Sequence, residues 1–196
     1  ASIHAGSEPS ALAISDDGQF LYVGFAGTDV IRRYQLPGLT LRLSFPVDAA
    51  GRAIHAEPAF VDQLAVAPGA PLTVAAAGPL LHIFDDQQSR PLTSNFGVQS
   101  ASVAWGIDAT KLFSIFFRGS ITALSTTATL ATDLGTTIPT GSISGFTVFN
   151  ASYGNSLLYD SLGGVFNANT LARVATLPTT GTVTIDSPNR TVFVAT

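Results

Sequence analysis

Short apolar segments alternate with turn-forming residues along the whole chain, at a spacing typical of β-strands. Residues 10–14 and 19–24 are apolar segments on either side of Asp16-Asp17-Gly18, and Asp-Gly readily takes the positive φ of a tight hairpin. Residues 30–34 and 39–45 continue the pattern after further turns. The segment 10–45 is therefore predicted to be a four-stranded antiparallel meander.

The same order of strands and turns returns along the chain. It predicts units of about 40 residues at 8–46, 60–93, 100–134 and 143–178, with a partial unit of two strands at 180–196. In the fourth unit we expect a strand at 145–149, a turn at 150–155 and a two-residue turn at Gly163-Gly164. Gly and Pro recur too often for any sustained helical period. The chain is thus predicted to be all-β, as about 4.5 blades of a β-propeller forming one domain over 1–196; a β-sandwich is the alternative.

Composition narrows the classes of partner. Charged residues make up 11% of the chain, against roughly 25% in average proteins, and lysine occurs once, at Lys111. With no basic stripe to neutralise phosphates, nucleic acid is not an expected partner. The most apolar window, 64–84, is broken by Pro and Gly, so no membrane span is predicted. The absence of cysteine excludes disulfides and thiolate chemistry, and the hydroxyl-rich surface favours an extracellular, cell-surface or periplasmic protein.

The carboxylate pairs are the first candidates for chemistry. Asp16-Asp17 and Asp85-Asp86 lie in predicted turns, where their side chains are expected to cap backbone amides. Calcium binding or acid–base chemistry is the alternative for these pairs.

No local motif predicts a metal site or a nucleophile. The histidines His4, His55 and His82 lie on different units without a metal-binding spacing. Ser142 lacks the strand-to-helix context of a nucleophilic serine, and no helix follows Gly163-Gly164 to bind phosphate. We therefore predict no catalytic, cofactor-binding or metal-binding residues and no cofactor, which makes an enzyme the less favoured class.

Several other residues carry structural expectations. Arg32 and Arg33 should point to opposite faces of a strand, so one of them must enter the packed face or reach a carboxylate. Trp105 is expected to fill the core between blades rather than to stack on a sugar. The same is expected of the phenylalanines listed here: Phe113, Phe116, Phe117, Phe146 and Phe149. Asn150 and Asn189 match the glycosylation sequon, in turns where Asn is common anyway.

Residues 8–24 resemble the YVTN-type repeats of bacterial surface and lactonase-like β-propellers. The stretch has the family's order of proline, apolar positions, Ser-x-Asp-Gly turn and Tyr22-Val23, while later units hold only degenerate echoes of it. The resemblance implies blades whose first strands surround a central channel. It also implies closure by strands from both chain ends, and residues 1–5 look like the outermost strand of a blade. Since 180–196 supplies only two strands and the chain starts without methionine, we expect imperfect closure or a piece of a larger ring.

Three functions are compatible with these expectations. The favoured one is a non-catalytic, exported or cell-surface propeller that binds a protein or glycan partner, in a chain with or without further blades. The alternative is a lactonase-like hydrolase with acidic residues and a metal gathered in the channel from several blades. A purely structural repeat segment of a larger surface protein is a third possibility.

Overall fold

The computed structural model describes residues 8–26, 28–47, 61–78, 80–92, 100–116, 120–127, 130–137, 151–186 and 188–196. These residues form eighteen strands and no helix, and so none that could cross a membrane. The first sheet contains β1 (Pro9–Ile14), β2 (Phe20–Phe25), β3 (Val30–Gln35) and β4 (Thr40–Pro46). The second sheet contains β5 (Gln63–Ala67), β6 (Ala70–Ala77), β7 (His82–Asp85) and β8 (Gln88–Ser89).

The remaining strands repeat this arrangement. The third sheet contains β9 (Ser100–Trp105), β10 (Lys111–Phe116), β11 (Ile121–Thr126) and β12 (Ala131–Thr137). The fourth sheet contains β13 (Ala151–Gly154), β14 (Leu157–Asp160), β15 (Gly164–Asn167) and β16 (Arg173–Thr176). The fifth sheet contains β17 (Thr182–Asp186) and β18 (Thr191–Ala195). Within each sheet the strands pair antiparallel in chain order.

The sheets are arranged as the blades of a β-propeller. Their first strands touch one another in sequence, β1 with β5, β5 with β9, β9 with β13 and β13 with β17. Apolar clusters fill the spaces between successive sheets, as between the first two, where Tyr22 and Ile31 pack with Leu64 and Val74. Each inner sheet is thus covered on both faces by neighbouring sheets. This serial packing confirms the propeller prediction and is not the two-layer packing of a β-sandwich.

The second and third sheets show how side-chain size fits the blades together. The second sheet presents small residues on the side that faces the third, among them Ala67, Ala75 and Ala77. On the facing side the third sheet presents large residues, including Trp105 and Leu112. Because small residues oppose large ones, the side chains of the two sheets can interdigitate.

The fourth sheet corrects two details of the sequence prediction. Residues 151–154 form a strand rather than a turn, and the chain reverses at Asn155 and Ser156, both at positive φ. A two-residue turn of this kind usually carries glycine, so Asn-Ser gives a weak sequence signal. The later turn covers residues 161–163 and only Gly163 has positive φ, while Gly164 already belongs to β15. The strand predicted at 145–149 and the outer strand predicted at 1–5 lie outside the described residues.

Candidate functional site

One end of the propeller is built from short turns, and we call it the turn face. It comprises the turns between first and second strands and between third and fourth strands. Among the described residues of the first four sheets these lie at residues 15–19, 36–39, 68–69, 86–87, 106–110, 155–156 and 168–172. An antiparallel meander places both kinds of turn at the same end of its sheet.

Aspartate side chains stabilise the turns of this face. In the first turn the Asp17 carboxylate accepts hydrogen bonds from Ser15 Oγ at 2.6 Å and from the Gln19 amide at 2.9 Å. In the third sheet Asp108 accepts from the Thr110 amide at 2.8 Å and from the Thr110 hydroxyl at 2.5 Å. These hydrogen bonds lower the pKa of both carboxyl groups, with the serine or threonine hydroxyl the largest cause. The capping role predicted for Asp17 is therefore confirmed.

Asp16 connects two blades. Its carboxylate accepts a hydrogen bond of 2.8 Å from the Gly69 amide, which belongs to the corresponding turn of the second sheet. Like Asp17, Asp16 accepts a hydrogen bond from a backbone amide, but that amide lies on the neighbouring blade rather than in the same turn. The bond fixes the first two turns of the face relative to each other.

The expectation for Asp85 and Asp86 was wrong, because both carboxylates bind arginines rather than backbone amides. Asp85 ends β7 and accepts from Arg90 Nη2 at 2.6 Å, from Arg90 Nε at 3.0 Å and from Thr73 Oγ1 at 2.7 Å. Burial acts to raise the pKa of Asp85, but the bonds from Arg90 and Thr73 outweigh it and lower the pKa. Asp86 pairs with Arg33 of the first sheet at 2.6 Å. A turn position alone did not reveal these partners, because a nearby buried arginine competes with the amides for the carboxylate.

Arg33 is the centre of a polar network between the first two blades. It lies over the ring of Phe20 and donates to Asp86 and, at 3.3 Å, to the Tyr22 hydroxyl. Tyr22 in turn donates to the Pro71 carbonyl oxygen at 2.9 Å. Burial acts against the charge of Arg33, but its bonds with Tyr22 and Asp86 outweigh this and raise its pKa.

The prediction for the arginine pair is confirmed by this network. Arg33 reaches a carboxylate on the packed side, while Arg32 lies over the ring of Phe25 on the opposite face. Alternation along β3 sends the two guanidinium groups to different surroundings.

The third and fourth sheets are also tied at the turn face. Lys111 Nζ donates to the Ala168 carbonyl oxygen at 2.9 Å and lies over the ring of Phe113. Asn167 Oδ1 accepts from the amides of Asn169 and Thr170, which closes the turn that carries Ala168. Bonds of this kind between blades join residues about 50 positions apart, so the local patterns of the sequence did not reveal them.

The outward surface of the face is polar with one large apolar side chain. Ile107 is 82% exposed at the tip of its turn. Along the array the turns also expose Asp108, Asn155, Asn169 and Thr170. A surface of carboxylates, amides and hydroxyls can exchange hydrogen bonds with a polar partner, and Ile107 can bury apolar area against it.

Asp160 is the most buried of the described carboxylates and lies at the opposite end of the propeller. Burial raises its pKa, although its Oδ1 accepts from the amides of Leu162 at 3.0 Å and Gly164 at 2.6 Å. A raised carboxyl pKa can mark catalysis, but here both bonds stay within one turn. Asp160 is therefore placed as a structural cap of the β14–β15 turn.

Of the histidines and the serine weighed as catalytic or metal-binding residues, the structure describes His82. His82 stacks on the ring of Phe84, with centroids 5.6 Å apart. His4, His55 and Ser142 lie outside the described residues. Within the described ranges no three His, Cys, Asp or Glu side chains are grouped so that they could hold a metal ion.

Trp105 and Phe113 occupy the cores predicted for them. Trp105 packs between the second and third sheets, and its Nε1 donates to the Ala65 carbonyl oxygen at 2.9 Å. Phe113 is buried between the third and fourth sheets, stacked on Tyr153. Phe117, Phe146 and Phe149 lie outside the described residues.

Only one of the two sequons can be placed. Asn189 lies in the exposed turn between β17 and β18, as expected, and its Nδ2 donates to Asp186 at 2.7 Å. Asn150 lies outside the described residues.

Comparison with known proteins identifies the fold but no sequence family. No protein-family model matches the chain, and no curated protein matches its sequence. Many solved chains share the fold. One of them is a WD40 β-propeller protein from the crystal structure of a mitotic checkpoint complex. It has 15% sequence identity and a TM-score of 0.60, over 80% of this chain and 47% of that chain. The chain therefore spans about half the length of this structural neighbour, which it resembles as a β-propeller.

Proposed function

We propose that the chain is a non-catalytic propeller scaffold whose turn face binds a protein partner. The observation that carries this proposal is the set of bonds that tie the turns of neighbouring blades, such as Asp16 to Gly69 and Lys111 to Ala168. A surface fixed before binding loses little conformational entropy when a partner docks. A propeller-fold neighbour in a multiprotein complex supports this class of function.

The chemistry of the turn face supports binding rather than turnover. Asp17 and Asp108 use their carboxylates to hold their own turns, and Asp86 is paired with Arg33. A general acid or base must be able to exchange its proton with a substrate, which these fixed roles disfavour. A protein with polar donors and a small apolar pocket for Ile107 fits the exposed groups.

We further propose that the scaffold works outside the cytosol. The support is compositional: charged residues are 11% of the chain, lysine occurs once and cysteine is absent. Fractionation of cells that express the complete gene product tests this part on its own. Recovery in the cytosol would refute export and leave the binding proposal standing.

The binding proposal is tested with the purified chain on protein and glycan arrays, followed by turn-face variants. Ile107→Ser and Asn169→Ala should each lower the affinity for a true partner at least about tenfold, as expected for residues at the centre of a contact. Thr180→Ala is the matched control, because Thr180 is exposed in the β16–β17 connection at the other end. Binding of glycans alone would replace the protein partner with a glycan one. Turnover of a lactone, phosphoester or glycan, abolished by one acidic substitution, would overturn the proposal.

A further inference from the structure

The outermost strands of the first, third and fourth sheets each contain a β-bulge. In the first sheet, one step along β3 from Arg33 to Tyr34 corresponds to two steps along β4, which makes Arg42 an extra residue. The extra residue is Leu134 on β12 in the third sheet and Val174 on β16 in the fourth. In all three sheets the extra residue lies on the outer strand rather than on its inner partner.

The strand pairs next to the bulges are regular. β2 with β3, β10 with β11 and β14 with β15 each keep one register over all their paired residues. The second sheet differs, because its outer strand β8 is only two residues long. A bulge disrupts the ladder and twists the strand, and both bulges and very short strands protect sheet edges from further pairing. Each of the first four sheets therefore has an outer edge that is poorly suited to another strand.

An outer strand can pair with another segment where its backbone is regular. Ala131 lies at the start of β12, before the bulge, and forms a parallel bridge with Leu92. Its amide donates to the Pro91 carbonyl oxygen at 3.0 Å. An outer strand without a bulge would present a whole row of such amides and carbonyls to an extended chain.

The side chains of the outer strands would favour such pairing. Leu134 is 59% exposed, Val174 is 55% exposed, and Leu41 beside the first bulge is 50% exposed. Exposed apolar and β-branched residues with little charge are typical of edge strands that aggregate. Each of the three strands contains a single charged residue. Protection of these edges therefore depends on the shape of the backbone more than on charge.

We propose that the outer bulges close the perimeter of the propeller to strand addition, so that copies of this chain do not pair edge to edge. Removal of the extra residue tests this directly. Asp133 and Gly135, on either side of Leu134, already pair with consecutive residues of β11. Deletion of Leu134 would therefore give β12 one continuous register with β11 without moving either half of the strand.

The test is the mass of the purified chain by light scattering and sedimentation over a range of concentrations, together with thioflavin T fluorescence. Deletion of Leu134, and separately of Val174, should strengthen self-association at least about tenfold, the gain expected from two further backbone hydrogen bonds. Leu134→Ser is the matched control, because it removes the same apolar side chain and keeps the bulge. It should associate no more than the unsubstituted chain.

A proline distinguishes strand addition from general exposure of apolar surface. The amide of Asp133 points away from β11, as that of Ala131 does, because positions two apart on a strand share a direction. Adding Asp133→Pro to the deletion of Leu134 removes an amide that an added strand would bind, and should return association to that of the unsubstituted chain. Asp133→Ala in the same background keeps the amide and should leave association strong.

Three results would overturn the proposal: folded deletion variants that associate no more than the unsubstituted chain, equal association in Leu134→Ser, or association that survives the proline. Trp105 fluorescence shows whether each variant is folded. Hydrogen exchange of the unsubstituted chain supplies a test without any deletion. The outward amides of β4 and β16 should exchange equally fast at all protein concentrations, and protection that grows with concentration would refute the closed edge.

Discussion

Phe113 and Phe193 occupy equivalent positions on the second strands of their sheets, yet only one has a sheet packed over it. Phe113 is fully buried, with its ring centroid 5.8 Å from that of Tyr153 on the next sheet. We predict that Phe113→Ala lowers the free energy of unfolding by about 3–5 kcal/mol, the usual cost of removing a buried phenylalanine ring. Phe193→Ala should cost about 1 kcal/mol, because less than half of its ring is removed from water.

The two variants should be compared by urea unfolding at one and the same protein concentration. Trp105 is the only tryptophan and lies between the second and third sheets, so its fluorescence reports unfolding without being altered directly by either substitution. In thermal melts the Phe113→Ala loss corresponds to a fall in Tm of roughly 6–20 °C for a chain of this size. Equal losses in the two variants would refute the inference that Phe113 is packed between blades while Phe193 is not.

Three further predictions concern charge and close packing. Asp85→Asn should cost about 1 kcal/mol at pH 7 through its bonds to Arg90, a value reduced for the partial exposure of the carboxylate, and this cost should shrink as the pH falls below the usual aspartate range and through the lowered pKa of Asp85; urea midpoints against pH measure this. Asp160→Asn should be more stable than the unsubstituted chain at pH 7 and equal to it in acid, because the amide oxygen can accept the same two hydrogen bonds without burying a charge. A variant that is less stable at pH 7 would contradict the assignment of Asp160 as a buried cap of its turn. Gly24→Ala should cost about 1–3 kcal/mol, since its Cβ would lie 2.9 Å from Val61 Cβ, and adding Val61→Gly, which removes that atom, should cost less than the sum of the two single changes.

Local chemistry made the first sheet predictable from sequence. Asp17 and Gly18 are neighbours, and the turn they form depends only on an aspartate that caps nearby amides and a glycine at φ +68°. Apolar alternation on both sides then sets the strands. Where the turn lacked glycine, at Asn155-Ser156, the same reasoning misplaced the strand.

The contacts between blades could not be predicted, because they depend on which sheets become neighbours. Asp86 meets Arg33 across 53 positions of sequence, and the pattern around Asp86 shows only a turn. Trp105 could be assigned to a core by its size alone. Its partner, the Ala65 carbonyl oxygen, became apparent only once β5 and β9 were adjacent.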